Sequence, residues 1–291
     1  MPASRPIPIV LNASAGALKA TAGVEALQEM AQKAGVEAQV LGSESPEDMA
    51  ETVSRLVRDG ADRIGIAGGD GTVSRVVPLL AHTTTAMGII PQGTFNNFAT
   101  ALRLPADVPS ALKLLKDGRP VPVSLGKVGE AYFTEAAGVG LFADALAIYG
   151  GQSNKNFFKA FFAIARVFFS MRSRRMRLVL DGEPLYQRAV WCTVANTYRM
   201  AQGLAIAPEA NLTDDVLDVV VVGDLARLEF VRYYRAIRAQ THTSLPKVSI
   251  HKVKSIRIEA HDVASVHADD RVVAHTPVEI RIDPGALRVI L

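Results

Sequence analysis

The sequence predicts a two-domain protein: a parallel sheet between layers of helices, followed by a β-rich domain, a sandwich or a barrel. Three observations carry the prediction. Up to Pro120, short apolar runs alternate with segments of helical spacing, the pattern of β-α-β units. Beyond Pro120, β-branched runs punctuated by turn residues take over. Two glycine-bearing loops, residues 68–72 and 91–99, end consecutive predicted strands.

The chain has 291 residues, 49% hydrophobic and 21% charged, which is ample for a buried core and unlike a disordered chain. A net charge of +3 is too small to argue nucleic-acid binding, and it suits an anionic ligand or an anionic membrane surface. The single Cys192 excludes an internal disulfide and fits a reducing compartment. The longest apolar tract, Phe157 to Phe169, is cut by Lys159 and Arg166, short of the roughly eighteen uninterrupted residues a membrane span needs. Arg5 followed by Ile7 to Leu11 is too short for a signal-peptide core. The expectation is a cytoplasmic protein.

Pro8 to Leu11 reads as the first strand, with Asn12 to Gly16 a small-residue turn after it. Leu18 to Ala34 has helical spacing and closes on Gly35. Val36 to Leu41 is a second strand. Ser45-Pro46-Glu47-Asp48 starts a helix with an N-cap serine, an early proline and acids facing the dipole. That helix ends at Gly60, and the third strand runs from Ile64 into Gly68-Gly69-Asp70-Gly71-Thr72. Ligands of such sheets bind at the carboxyl ends of the strands, where Asn12, Ser43 and Asp70 fall.

Glycines at a strand-to-helix turn let backbone amides approach an anion, and the next helix adds its positive end. Asp70 would repel a phosphate by itself; it makes sense with a metal between them, or as acceptor of a proton from an incoming hydroxyl. Val73 to Leu80 is a short helix and Ala86 to Ile90 a buried strand. The second loop, Pro91-Gln92-Gly93-Thr94-Phe95-Asn96-Asn97-Phe98-Ala99, repeats the chemistry of the first: small residues, a hydroxyl and donors at a helix start. Together the loops form a two-sided phosphate or nucleotide clamp. Val108 to Lys116 is another helix, ended by Asp117-Gly118. No Gly-x-x-x-x-Gly-Lys-Ser/Thr occurs, so this is not a P-loop.

We place the domain boundary near Pro120 to Gly126, giving residues 1–122 and 123–291 with the nucleotide cleft between them. The predicted β runs are Val121–Val128, Ala131–Ala137, Met176–Leu180, Ala189–Asn196, Val216–Val222, Val248–Glu259, Val272–Ile282 and Leu287–Leu291. Asp181-Gly182 and Pro284-Gly285 read as turns, and Phe142–Phe169 and Ala226–Thr241 as helical interruptions.

The two loops resemble those of the diacylglycerol kinase catalytic-domain family, the soluble bacterial lipid kinases, and are more distantly similar to those of sphingosine kinases and NAD kinases. The likeness extends over nearly the whole chain. Ala195-Asn196-Thr197-Tyr198 with Gly203, Leu212 to Asp218, Thr276-Pro277 and Pro284 to Leu287 match further family stretches. The resemblance implies a three-layer α/β nucleotide-binding domain plus a β-sandwich. The implied activity is that of a transferase of phospholipid metabolism, moving the γ-phosphoryl group of ATP, with Mg2+, to the hydroxyl of a diacylglycerol-like lipid.

By that resemblance Gly68, Gly69, Asp70, Gly71, Thr72, Val73 and Ser74 hold ATP, with Gly93 and Thr94 of the second loop; Asn12, Asn96 and Asn97 complete the candidate set. A magnesium site falls to Asp214 with carbonyls near Asn211 and Val216. Asp70 is the expected base or metal ligand, with Asp269 and Asp214 as supporting carboxylates. The implied partner is a lipid met peripherally at a membrane surface, the inner face in a cell, with no nucleic acid; a homodimer is compatible with this.

Three residues depart from the family pattern. Asn97 stands where an aspartate is usual, Asp215 where glycine is usual, and Arg271 where a glutamate acts as proton acceptor. A guanidinium stays protonated and cannot serve as that base. Asn97 and Arg271 motivate a second reading, a catalytically weak nucleotide- or lipid-binding protein. A kinase for another hydroxyl acceptor is a third. The tract from Phe157 to Arg177 mixes aromatics with arginines and suits either membrane docking or a packed helix leading into a solvated turn. The six histidines lack metal-ligand spacing.

Overall fold

The computed structural model describes residues 6–12, 20–149, 171–201 and 203–291. The predicted turn at 13–16, the start of the first helix at Leu18 and most of the aromatic–basic tract (157–170) lie outside the described residues. The chain forms two compact units, Met1–Ser124 with Pro284–Leu291, and Leu125–Asp283.

In the first unit β1 (Ile7–Asn12), β2 (Ala38–Ser43), β3 (Arg63–Gly68) and β4 (Ala86–Pro91) form a parallel sheet in the order β4-β3-β1-β2. Ile9 pairs with Gly65 and Ile66 with Ile89, bringing the carboxyl ends of β1, β3 and β4 together. Every residue of β4 is buried, as in a strand covered on both faces. Helices α1 (Ala20–Lys33) and α5 (Val108–Asp117) pack Leu27, Ala31, Leu112 and Leu115 against Ile9, Leu11, Ala67 and Ile90. Helix α2 (Pro46–Arg58) packs on β1 and on α3 (Asp70–Leu80). The predicted α2 start is observed: the Asp48 amide donates to Ser45 Oγ at 3.1 Å. A short α4 (Asn97–Ala101) follows the second loop.

The second unit is antiparallel. Its strands are β5 (Pro120–Val128, entering from the first unit), β6 (Ala131–Phe133), β7 (Ala136–Gly140), β8 (Arg174–Leu180), β9 (Glu183–Ala195), β10 (Leu217–Gly223), β11 (Val248–Val253), β12 (Ser255–Ala260), β13 (Ser265–Ala268), β14 (Arg271–His275) and β15 (Val278–Ile290, which from Pro284 onward belongs to the first unit and pairs parallel with β4). Side chains from most of these strands, among them Phe133, Leu178, Cys192, Val219, Ile256 and Ile280, share one core. One core fed by so many strands requires the sheet to fold over on itself, the sandwich arrangement. The opposite face of β9 and β10 is covered by α6 (Leu141–Tyr149) and α7 (Arg227–Arg238), through Trp191, Val220, Phe142 and Phe230.

Five boundaries differ from expectation, the first being β9, which starts at Glu183 and not at Ala189. Ala131–Ala137 divides at Thr134-Glu135, whose amides bond to Asp269. Val248–Glu259 divides at Lys254, whose amide donates to Asp181. Val272–Ile282 divides at Thr276-Pro277, since proline cannot donate to a ladder. Pro284-Gly285 is no turn: β15 runs through it, with Gly285 absorbing a positive φ of 60°.

Candidate functional site

The two loops of the first unit meet backbone to backbone. A Cβ built on Gly69 would lie 2.9 Å from the Gly93 Cα, and one on Gly93 would lie 2.7 Å from the Gly69 Cα and from Asn96 Oδ1. Neither position admits a side chain. Gly69 is the N-cap of α3 and offers no side-chain acceptor; the Thr72 amide turns back onto the Gly69 carbonyl at 2.9 Å, which leaves the Asp70 and Gly71 amides for an anion. The Gln92 amide donates to the Gly68 carbonyl at 3.0 Å, joining the loops at their base.

Polar side chains brace this junction. Asn12 Nδ2 donates to Thr72 Oγ1 at 2.7 Å, tying the end of β1 to α3. Asn96, left-handed at φ 48°, closes the second loop by accepting from the Gly93 amide and donating to the Gly93 carbonyl, both at 2.9 Å. Asp70 Oδ1 accepts from the Phe98 amide at 3.2 Å, so the first residue of α3 caps α4. Oδ2 of Asp70 takes no hydrogen bond among the described residues, and the residue is half-buried.

Thr94 is exposed, while Thr72, Ser74 and Asn97 are buried. Val73 departs from expectation: its side chain is in the core and its amide donates to the Gly69 carbonyl, so it presents no group to a ligand.

Asp269 belongs to a different kind of site in the second unit. Its carboxylate accepts from the amides of Thr134 (2.9 Å), Glu135 (2.8 Å) and Ala136 (3.3 Å) and from Thr134 Oγ1 (3.1 Å). Its own amide donates to the Ala136 carbonyl. Glu135, buried, accepts from the Ala201 amide at 3.0 Å, and Asn196 Nδ2 donates to the Thr134 carbonyl at 3.2 Å. His267, also buried, lies 3.3 Å by Nδ1 from the Asp269 carbonyl, and burial pushes its imidazole down to about 4. Beside this knot Arg271 is exposed, 3.8 Å from Asp270.

The third cluster is the turn before β10. Asp214 Oδ2 lies 3.4 Å from Lys252 Nζ, its Oδ1 accepts weakly from the Val216 amide, and Asn211 Oδ1 accepts from Thr213. Asp215 takes φ 54° where the resemblance expects glycine. Asp218 in β10 is 1% exposed, and neither oxygen finds a hydrogen-bond donor among the described residues. Burial pushes it up to about 6, against the pull of Lys252 at 4.0 Å, with Asp214 and Glu209 raising it further. All-oxygen donors and an orphaned buried carboxylate fit a hard divalent cation. No cluster of three or more His, Cys, Asp or Glu residues stands ready among the described residues.

Sequence reasoning missed Thr134, Glu135 and Asp218. A lone acid opening the apolar run Leu217–Val222 was the available signal for Asp218; the Thr134 and Glu135 contacts are long-range and had none.

Comparisons with known proteins bear on the whole chain. Residues 6–128 match the family model of the diacylglycerol kinase catalytic domain, and residues 146–291 that of the YegS C-terminal NAD kinase beta sandwich-like domain. A diacylglycerol kinase of Mycobacterium tuberculosis is 28% identical over 255 residues, covering 84% of this chain and 81% of the relative. One of Staphylococcus saprophyticus is 28% identical over 244 residues, covering 82% and 79%. The crystal structure of a diacylglycerol kinase from Bacillus anthracis superposes with a TM-score of 0.73 at 21% identity, over 98% of this chain and 96% of that one, a likeness of fold.

Proposed function

This chain belongs to the diacylglycerol kinase catalytic-domain family, and from that premise we propose that it transfers the γ-phosphoryl group of ATP to the hydroxyl of diacylglycerol or a similar lipid at a membrane surface. One observation supports the reading above the others: Gly69 and Gly93 touch, so two amide-bearing loops converge beside the open oxygen of Asp70. The Asp70 and Gly71 amides at the start of α3 hold phosphate oxygens. Asp70 Oδ2 accepts the proton as the hydroxyl oxygen bonds to phosphorus and the bond to the ADP oxygen breaks. Magnesium, when bound, neutralises phosphate charge; Asp214, Asp218 and the Asn211 and Val216 carbonyls are the oxygen donors suited to a structural ion in the second unit.

A second reading has its own observation. Asp269 is taken up by amides, and Arg271 occupies the glutamate's place, which favours a binding protein with little turnover. Transfer from labelled ATP with magnesium to a panel of lipids in mixed micelles separates the two. Label in a lipid establishes the kinase and names its acceptor; ATP binding with no labelled lipid establishes the binding protein.

A further inference from the structure

Helix α7 exposes more apolar surface than a solvated helix requires. Leu228 is 86% exposed, Val231 50% and Tyr234 42%. The helix is firmly seated on its other side, where Tyr233 and Ile237 are buried and Phe230 meets Trp191 edge-on at 6.3 Å. Packing therefore fixes which face points outward. At about 3.6 residues per turn, Arg227, Arg232, Arg235 and Arg238 fall on the same outer arc as Leu228, Val231 and Tyr234, and all four are exposed. The one acid of the helix, Glu229, lies off that arc, accepting from the Ala226 amide at 2.8 Å and pairing with Lys247 at 2.7 Å.

We propose that this arc docks the protein on an anionic lipid surface, guanidinium groups on the headgroup phosphates and Leu228, Val231 and Tyr234 among the upper acyl carbons. The inference deepens the lipid-kinase reading, on which it rests for the reason a membrane is met. Charge complementarity selects the occupant. A second copy docked by a two-fold axis would set the arginine-rich arc against its own copy, like charge against like. A polyanion without an apolar layer would leave Leu228 and Val231 in water, whereas a bilayer interface takes both kinds of side chain.

The test is sedimentation of the full chain with vesicles of mixed phosphatidylglycerol and phosphatidylcholine, and of phosphatidylcholine alone, at low and high salt. Binding is expected to the anionic vesicles and to weaken with salt. Arg232→Gln with Arg235→Gln should lower that affinity about 30-fold, each charge being worth about fivefold near such a surface. Leu228→Ser with Val231→Ser should weaken it without changing the salt dependence. The exposed pair Arg55→Gln and Arg58→Gln on α2, an equal change of charge, should leave it within about threefold. Equal losses in the α2 pair, salt-independent binding to neutral vesicles, no binding to any vesicle, or a dimer dissolved by the α7 substitutions would each overturn the proposal. Phosphate transfer to lipid in neutral micelles, measured beside these, should be unchanged in the α7 variants. A chain that binds anionic vesicles through α7 yet transfers no phosphate upholds the docking surface and overturns the kinase reading instead.

Discussion

In the first unit Asp70 gives one oxygen to the Phe98 amide and keeps the other open; in the second, Asp269 accepts from three amides and a hydroxyl. Donors that already occupy a carboxylate's lone pairs leave less room for a proton arriving from a substrate. The residues that the sequence groups as catalytic carboxylates therefore have different employments. Asp70 is held half-buried at a loop junction, with one oxygen that takes no hydrogen bond among the described residues. Asp269 replaces secondary structure between β6 and β7, where Thr134, Glu135 and Ala136 would otherwise bury amides without acceptors. A carboxylate's neighbours, more than its place in a motif, decide whether it can move a proton.

Substitutions can break this contrast, beginning with the largest effect. Asp70→Asn keeps the acceptor for Phe98 and removes the base, so lipid phosphorylation should fall by about 10²–10⁴ while the melting temperature stays within about 2 °C. Asp269→Asn faces amide donors with an NH2 group and should cost about 3 kcal/mol in urea denaturation, with phosphate transfer per folded molecule within about tenfold of the parent. His267 sharpens the picture of the same knot. Its folded pKa, about 4, lies below the unfolded value near 6.5, so the unfolded chain binds the extra proton between them. That stability is complete above about pH 6.5 and lost as the pH falls toward 4, up to about 3 kcal/mol. Denaturation midpoints across that range should slope less in His267→Gln.

Gly93→Ala tests the loop junction. Its Cβ must push the Gly69 backbone aside, costing about 1–3 kcal/mol and weakening nucleotide binding, read by calorimetric titration with ATP. The smallest change is expected from Arg271→Ala. An exposed guanidinium 3.8 Å from Asp270 contributes little, and transfer should stay within about threefold.

The first unit was largely legible because its signals are local. Ser45-Pro46 starts a helix by its own chemistry, and β3 and β4 are apolar runs ending in glycine loops. Even there, the contact of Gly69 with Gly93 and the reach of Asp70 to Phe98 depend on strands being neighbours, which spacing does not encode. The second unit was legible as β-rich but not in its boundaries. Thr134 and Asp269 meet across 135 positions, and Gly285 carries β15 through a dipeptide whose local chemistry is that of a turn. Asp218, a buried acid with no donor among the described residues, runs against its strand's hydrophobic pattern, so pattern reading took the run and passed over the acid.

The decisive comparison is Asp70→Asn beside Asp269→Asn, each measured for thermal melting and for phosphate transfer from labelled ATP to lipid, normalised to folded protein. An Asp70 variant that melts like the parent and transfers nothing, with an Asp269 variant that melts early yet still transfers, is the expected result. An active Asp70 variant, or an Asp269 variant that is stable and inactive, would contradict it.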